Sequence, residues 1–228
     1  MLKFIKNELF MGYTTFEKFF FPLLILLQVI AFYFNPENII GLIAGMSGVI
    51  CVIMVAKSRI SNYFWGLIQV SAYLYISWQA FFLGEVVLNV FYLVAQFVGF
   101  YMWSKHMKKS DLTDKVEEVV VKGLTVKQWI LNVVAIVISW YGFSLFLEYL
   151  GSNNPYVDSI TTTLSVFAQL HMLKRLSSQW TLWILVNVFT ILLWSSTSDW
   201  SMIALWTGLL LNSIYGYILW SKKAKENI

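Results

Sequence analysis

The sequence predicts an all-α polytopic membrane protein with eight transmembrane helices, on three observations. Of the 228 residues, 59% are hydrophobic and 12% are charged, and the mean hydropathy is +0.69. A soluble domain carries about 25% charged residues, so this chain has too little charge to cover a surface exposed to water. The hydrophobic residues also form eight long runs, and the basic residues lie only between alternate runs.

A helix that crosses the hydrocarbon core of a bilayer, about 30 Å thick, needs roughly 17–25 mainly apolar residues. Eight runs come within a few residues of this length, and within them only Asp158, near the start of the sixth, is charged. The predicted spans are Phe19–Phe34, Ile39–Ala56, Ile60–Leu83, Val86–Trp103, Trp129–Leu147, Tyr156–Leu173, Leu176–Ser195 and Trp200–Trp220.

The basic residues indicate how the chain is oriented in the membrane. All 16 lysine and arginine residues precede span one, follow span eight, or lie between spans two and three, four and five, or six and seven. The charged residues in the other connections are all acidic, among them Glu37 and Asp199. Because cytoplasmic loops are enriched in lysine and arginine, both termini are predicted to be cytoplasmic.

The segment before span one has two interpretations. Leu2 and Phe4 alternate with Lys3 and Lys6, a pattern typical of an amphipathic helix that lies in the membrane interface. The same residues are equally compatible with an ordinary solvated start to span one.

An internal repeat relates spans two to four to spans six to eight. Span four ends in Gly99–Lys105 (GFYMWSK) and span eight in Gly216–Lys222 (GYILWSK), 117 positions later. WGLIQV, which starts at Trp65, matches WILVNV, which starts at Trp183, at an offset of 118. Several weak matches at nearly one offset indicate a duplicated three-helix unit.

Both copies end on the basic side, so they are parallel and one further crossing must join them. Span five supplies that crossing, and span one is additional, which predicts a core of three plus one plus three helices. Transporters built from parallel repeats bind substrate between the repeats. The predicted boundaries are 1–37 for the N-terminal segment and additional helix, 38–105 for the first repeat, 106–155 for a cytoplasmic loop and linker helix, 156–222 for the second repeat and 223–228 for the tail.

One face of span seven is a candidate substrate site. Trp180, Trp183, Asn187 and Thr190 follow at spacings of three and four, so they share a helical face. Two indoles beside an amide can hold a flat ring and its polar substituents, and aromatic faces attract cations by up to about 2 kcal/mol when desolvated. The alternative is an interfacial tryptophan belt combined with packing.

Other predicted spans carry further polar side chains at helical spacing. Amide side chains that face lipid are costly, so these are expected to face the interior of the bundle and to line a shared cavity. The alternative is hydrogen bonding between helices, worth about 0.6 kcal/mol per contact. The candidate substrate-binding residues outside span seven are Gln69, Asn89, Tyr92, Gln96, Thr162, Gln169 and Asn212.

Missing residue patterns exclude other classes of function. No acidic residue lies deep in a predicted span, which argues against proton or sodium coupling. No phosphate-binding loop and no catalytic set at membrane depth are found, so an enzyme is not expected. Nothing predicts a metal, a cofactor or nucleic acid, and the single cysteine, Cys51, excludes a disulfide framework. His171 is assigned to packing or to the surface rather than to proton transfer.

Three segments resemble the PnuC-type bacterial vitamin transporters. They are Leu88–Trp103, Asp158–Gln169 and Trp180–Asn187, and the resemblance extends over roughly residues 41–222. It implies a homotrimer in the bacterial cytoplasmic membrane, related in plan to the SWEET sugar transporters. It also implies facilitated diffusion of nicotinamide riboside, which a cytoplasmic kinase then phosphorylates for NAD synthesis.

By motif position, the resemblance implies that Trp180 and Trp183 contact the pyridinium ring. Asn187, Gln96, Asn89 and Gln169 would bind the ribose or the carboxamide. Two alternatives stay open: a transporter of thiamine, which is also a flat cation, and a membrane binding subunit that needs an energising partner.

Overall fold

The computed structural model describes residues 2–34, 39–81, 83–110, 112–151, 155–197 and 200–226. Within these ranges the chain forms nine α-helices and one antiparallel hairpin. It divides into two compact units, Met1–Val120 and Val121–Ile228.

The first unit contains five helices and the hairpin. Its elements are α1 (Leu2–Phe10), α2 (Thr15–Phe34), α3 (Ile39–Ala56), α4 (Asn62–Gln79), α5 (Leu83–Ser104), β1 (Met107–Ser110) and β2 (Thr113–Val119). From α2 to α5, each helix packs against the next one along the chain.

The second unit is built in the same way from four helices. They are α6 (Val126–Tyr149), α7 (Pro155–Leu173), α8 (Ser178–Thr197) and α9 (Trp200–Glu226), and each packs against the next. A capping box starts α6: Gln128 donates its backbone N–H to Oγ1 of Thr125, whose own N–H is accepted by the Gln128 side chain.

Each predicted span overlaps one of the helices from α2 to α9, and the bounds of α3 match the prediction at both ends. The predicted third span, Ile60–Leu83, extends beyond α4 at both ends and reaches the first residue of α5. Among the described residues, three helices are long and apolar enough to cross a membrane: Ile39–Ala56, Glu85–Ser104 and Val126–Tyr149. A shorter apolar stretch covers Ser178–Leu193. Glu37 and Asp199, used above to orient the chain, lie outside the described residues.

The hairpin is a difference from the prediction, which treats the residues before α6 as a plain cytoplasmic loop. β1 and β2 pair Lys108 with Glu118 and Lys109 with Glu117, so two pairs of opposite charge face each other across the strands. Val116 and Val119 are buried. The hydrophobic pattern here is too short to be separated from a loop by sequence alone, because its burial depends on distant segments.

The N-terminal segment forms a helix of its own. α1 ends at Phe10, Gly12 adopts a positive φ, and α2 begins at Thr15. The buried guanidinium of Arg59, in the turn between α3 and α4, donates to the carbonyls of Glu8 and Met11 at the C-terminal end of α1. A cation is favourable at that end of a helix because the unpaired carbonyls carry partial negative charge.

The carboxyl of Glu8 is buried beside this contact. Burial raises its pKa, against the opposing effects of Ser61 and Arg59, while Glu118 adds to the increase. Because the folded state binds this proton more tightly than the unfolded chain, the contribution of Glu8 to stability is lost as the pH rises through the folded-state pKa.

A buried ion pair holds α2 to the same turn. Glu17 accepts the Thr14 N–H as part of a capping box at the start of α2, and it accepts hydrogen bonds from Nζ of Lys57 at 2.7 and 3.0 Å. The two side chains are 0% and 5% exposed. Burial lowers the pKa of the Lys57 ammonium, and the Glu17 carboxylate opposes this effect.

Lys57→Met should therefore lower the stability of the protein, because it leaves Glu17 as an unpaired buried charge. The expected cost is about 3–5 kcal/mol in the free energy of unfolding. Thermal unfolding of the purified protein in detergent, followed by tryptophan fluorescence, measures the effect. Lys222→Met is the matched control, because its pair with Glu226 is 79% and 49% exposed and is worth about 0–1 kcal/mol. Equal melting temperatures for the two variants would contradict the prediction.

Candidate functional site

The turns that start the second helix of each predicted repeat have the same backbone geometry. Ser58 and Arg175, 117 positions apart, have φ values of 59° and 62°, which non-glycine residues seldom adopt. The carbonyl of Ser58 accepts the N–H of Val119 at 2.8 Å, and that of Arg175 accepts the N–H of Lys122 at 2.9 Å. Two rare conformations at one offset indicate a common local structure.

An aromatic contact follows each turn at the same offset. In the first unit Tyr63 meets the edge of Trp103, with ring centroids 5.1 Å apart, and a Cβ on Gly99 would collide with the Tyr63 ring. In the second unit the corresponding residues are Trp180, Trp220 and Gly216; the two indoles are 6.0 Å apart, and a Cβ on Gly216 would lie 2.5–2.7 Å from Trp180.

This geometry corrects the alignment of the second helices. Tyr63 and Trp180 correspond at an offset of 117, whereas the match of Trp65 with Trp183 uses 118. One residue is a rotation of about 100° on a helix. At 117, Gln69 corresponds to Val186 rather than to Asn187, so these two amides are not equivalent positions of the repeat.

The two tryptophans at the start of the predicted stripe have different environments. Trp180 is 2% exposed and packs between α8 and α9, and its Nε1 makes no hydrogen bond to any described residue. Trp183 is half-buried and packs beside a cluster drawn from α6, α7 and α8. That cluster consists of Ile136, Leu164, Ala168, Leu182 and Val186. Of these two indoles, Trp183 is the more exposed.

Asn187 and Thr190 of α8 each donate a hydrogen bond to a defined partner. Asn187, 3% exposed, donates from Nδ2 to the hydroxyl of Ser213 on α9 at 3.0 Å. Thr190 donates to the carbonyl of Val186 at 2.8 Å, a local bond within the helix. The contact with Ser213 was not expected from the sequence, since nothing in the spacing shows which α9 side chain meets Asn187.

In α5, two predicted site residues bond to carbonyls four positions earlier. Asn89 donates to the carbonyl of Glu85 at 2.8 Å, and Gln96 donates to that of Tyr92 at 3.3 Å. Both amides are buried, whereas Tyr92 is half-buried. The Oε1 atom of Gln96 accepts no hydrogen bond within the described part of the chain.

In the first unit, three glutamine side chains pack against glycine residues of neighbouring helices. A Cβ on Gly48 would lie 2.7 Å from Nε2 of Gln69, and one on Gly66 would lie 2.5 Å from Oε1 of Gln96. A Cβ on Gly45 of α3 would lie inside contact distance of the side chain of Gln28, from α2. Small residues thus let amide-bearing helices approach closely.

The remaining predicted residues lie on α7 and α9. Gln169 and Asn212 are buried, and Thr162 is half-buried. The Nε2 atom of Gln169 has no hydrogen-bond partner among the residues that the structure describes.

His171 belongs to a buried hydrogen-bond chain that the sequence did not reveal. Its Nε2 lies 2.8 Å from Oδ1 of Asn132 on α6, and its Nδ1 lies 2.9 Å from Oγ of Ser178. Asn132 donates its Nδ2 to the carbonyl of Gln128, so its Oδ1 faces the ring as an acceptor. Nε2 therefore carries the proton and Nδ1 accepts from Ser178. This neutral tautomer joins α6 to α7 and to the start of α8.

The candidate residues are thus indoles, amides and hydroxyls on apolar helices, and none of them carries a formal charge. Such groups can bind a flat ring and the hydrogen-bonding substituents attached to it. Oε1 of Gln96 and Nε2 of Gln169 have no hydrogen-bond partner among the described residues, and an unpaired buried polar atom is costly unless a ligand or another group supplies the partner. The apolar helices that carry these residues are those of a multi-pass α-helical membrane protein.

Comparison with known proteins identifies the family. Residues 38–222 match the family described as nicotinamide mononucleotide transporter. The chain is 41% identical over 229 residues to the nicotinamide riboside transporter PnuC of Neisseria mucosa, covering 97% of this chain and 87% of that protein. For the Haemophilus influenzae protein of the same name the identity is 39%, over 97% and 96% of the two chains.

A solved structure agrees with these relatives. The crystal structure of the vitamin B3 transporter PnuC is 40% identical, covers all of both chains and superposes with a TM-score of 0.88. The chain belongs to the PnuC family of nicotinamide riboside transporters, as its sequence motifs predicted.

Gly216→Ala should destabilise the protein, because the added methyl group has no room beside Trp180. Overpacking of this kind costs about 1–3 kcal/mol. Gly142→Ala, in α6, is the control: a Cβ there meets nothing within 4 Å, so alanine should be neutral or stabilising by about 0.5–1 kcal/mol. Thermal unfolding in detergent compares the two variants. A Gly216→Ala protein as stable as the control would show that the indole adjusts freely.

Proposed function

We propose that this protein carries nicotinamide riboside across the bacterial cytoplasmic membrane. The membership of its family supports this, since relatives at 39–41% identity are named as nicotinamide riboside transporters. The observation that carries the proposal is the character of the polar side chains on α5 and α8, which are amides and an indole without formal charge. The substrate is itself a flat cation bearing a polar sugar.

The residues of α8 are proposed to bind the nicotinamide ring. Trp183 stacks on the pyridinium, an interaction strengthened by the positive charge of the ring. Asn187, oriented by Ser213, binds a polar substituent beside the ring. Trp180, which lies at the start of the same helix and packs against Trp220, is proposed to contact the ring together with Trp183.

The amide groups of Gln69, Asn89, Gln96, Gln169 and Asn212, with Tyr92 and Thr162, are proposed to bind the ribose and the carboxamide. Each has a hydrogen-bonding group on an apolar helix, where water cannot replace a protein or ligand partner. A sugar hydroxyl or an amide N–H is a suitable partner for such groups.

Transport is proposed to occur by facilitated diffusion with alternating access. The described interiors of α3, α4, α5, α8 and α9 carry no acidic residue that would bind a coupling ion. We further propose eight transmembrane helices with both termini in the cytoplasm, two parallel three-helix repeats, and a homotrimer. A cytoplasmic kinase that phosphorylates the transported riboside would retain it in the cell for NAD synthesis.

Trp183→Ala should abolish the quenching of tryptophan fluorescence by nicotinamide riboside and weaken its binding at least tenfold. The purified protein is titrated with nicotinamide riboside, nicotinamide mononucleotide and thiamine. Trp78→Ala, at an exposed indole of α4 outside the candidate set, is the control and should bind as the unaltered protein does. Unchanged binding by Trp183→Ala would refute the stacking role of Trp183. If thiamine binds more tightly than nicotinamide riboside, thiamine rather than nicotinamide riboside is the substrate.

Uptake of nicotinamide riboside into proteoliposomes should be insensitive to a protonophore, because no coupling ion is bound. Labelled substrate should equilibrate across the membrane without concentrating inside. With the membrane potential clamped at zero, accumulation above the external concentration that follows an imposed proton gradient, and that collapses on addition of the protonophore, would rule out facilitated diffusion. Substrate uptake that requires a second protein would instead favour a membrane binding subunit.

A further inference from the structure

Equivalent positions of the two repeats carry opposite combinations of large and small side chains. At the offset of 117 set by the turns, Gly66 of α4 corresponds to Trp183 of α8, and Gln96 of α5 corresponds to Ser213 of α9. In the first unit, the second helix of the repeat has a residue without a side chain at this position, and the third helix supplies a long amide side chain. In the second unit, the second helix of the repeat supplies an indole side chain, and the third helix has a small side chain.

The first unit uses the missing side chain of Gly66 to seat the amide of Gln96. A Cβ on Gly66 would lie 2.5 Å from Oε1 and 2.9 Å from Cδ of Gln96, far inside contact distance. On its other side the same Cβ would lie 3.2 Å from Sγ of the buried Cys51. An alanine at residue 66 could not be accommodated by moving toward α3, so the amide of Gln96 would have to move.

The two polar atoms of the Gln96 amide differ in their hydrogen bonding. Its Nε2 donates to the carbonyl of Tyr92 at 3.3 Å, while its Oε1 is buried and accepts no hydrogen bond from the residues described. An unpaired buried acceptor is unfavourable unless something supplies the donor. The Gly45–Gln28 contact provides a comparison, because it seats another glutamine of the same unit that is outside the candidate site.

We propose that Gly66 is a positioning residue for substrate selection. By leaving room for the amide, it holds Oε1 of Gln96 as an acceptor for a donor hydrogen of the ligand, either a ribose hydroxyl or the carboxamide N–H. This inference rests on the proposed function, and it adds a residue that does not itself touch the substrate. Gly66 and Trp183, at one position of the repeat, then have distinct tasks in binding a polar and an aromatic group.

The test compares the affinities of the full-length protein in nanodiscs for nicotinamide riboside and for two analogues that each lack a donor. The analogues are the 2′,3′-dideoxyriboside and nicotinic acid riboside. Gly66→Ala should weaken binding of nicotinamide riboside at least tenfold while changing the affinity for one analogue less than threefold, so that discrimination against that analogue is lost.

Two further variants make the result decisive. Gln96→Met fills the space at Gly66 without an acceptor, so it should lose the same discrimination even if Gly66→Ala does not fold. Gly45→Ala, the matched control, should keep the affinity ratios of the unaltered protein. The proposal is overturned if Gly66→Ala weakens all three ligands equally, if Gln96→Met keeps full discrimination, or if Gly45→Ala loses it. Failure of the unaltered protein to bind nicotinamide riboside would instead refute the proposed function, before any variant is compared.

Discussion

A polar group inside hydrocarbon has no water to bind, so the protein or a ligand must supply its partner. Helices meet this requirement for the backbone. Side chains on them meet it in part by bonding to carbonyls four residues earlier, as Asn89, Gln96 and Thr190 do. Such bonds use a donor and leave the rest of an amide open. Among the residues that the structure describes, Oε1 of Gln96 and Nε2 of Gln169 have no hydrogen-bond partner, and the proposed function assigns them a ligand as the partner.

The same constraint explains where formal charge is found. In the first unit, the two buried cations, Lys57 and Arg59, lie at the turn between α3 and α4 rather than inside a helix, and there both have partners. Lys57 bonds Glu17 of α2, and Arg59 bonds the carbonyls that end α1. A buried ion pair adds little stability compared with apolar packing, but removing one partner is costly. These contacts determine which N-terminal segments meet the turn.

The two predicted repeats share a frame but differ in the side chains that it presents. The rare turn conformation and the edge-on aromatic contact recur at one offset. At equivalent positions, the first unit has the small Gly66 where the second unit has the large Trp183. The first unit also has the long Gln96 where the second unit has the small Ser213. The side chains at these positions therefore differ more between the two units than the turns and aromatic contacts do.

The sequence by itself determined the helical runs, the confinement of basic residues to alternate connections and the family. These properties depend on the order of residues along one chain, such as the apolar run that became α3. Only the tertiary structure decided that β1 and β2 pair, that Arg59 holds α1 and that His171 joins α6 to α7. It also decided that Trp180 is fully packed while Trp183 is only half-buried. Each of these depends on which distant side chains meet. A register that differs by one residue, as between Gln69 and Asn187, rotates a helix face in a way that sequence similarity does not detect.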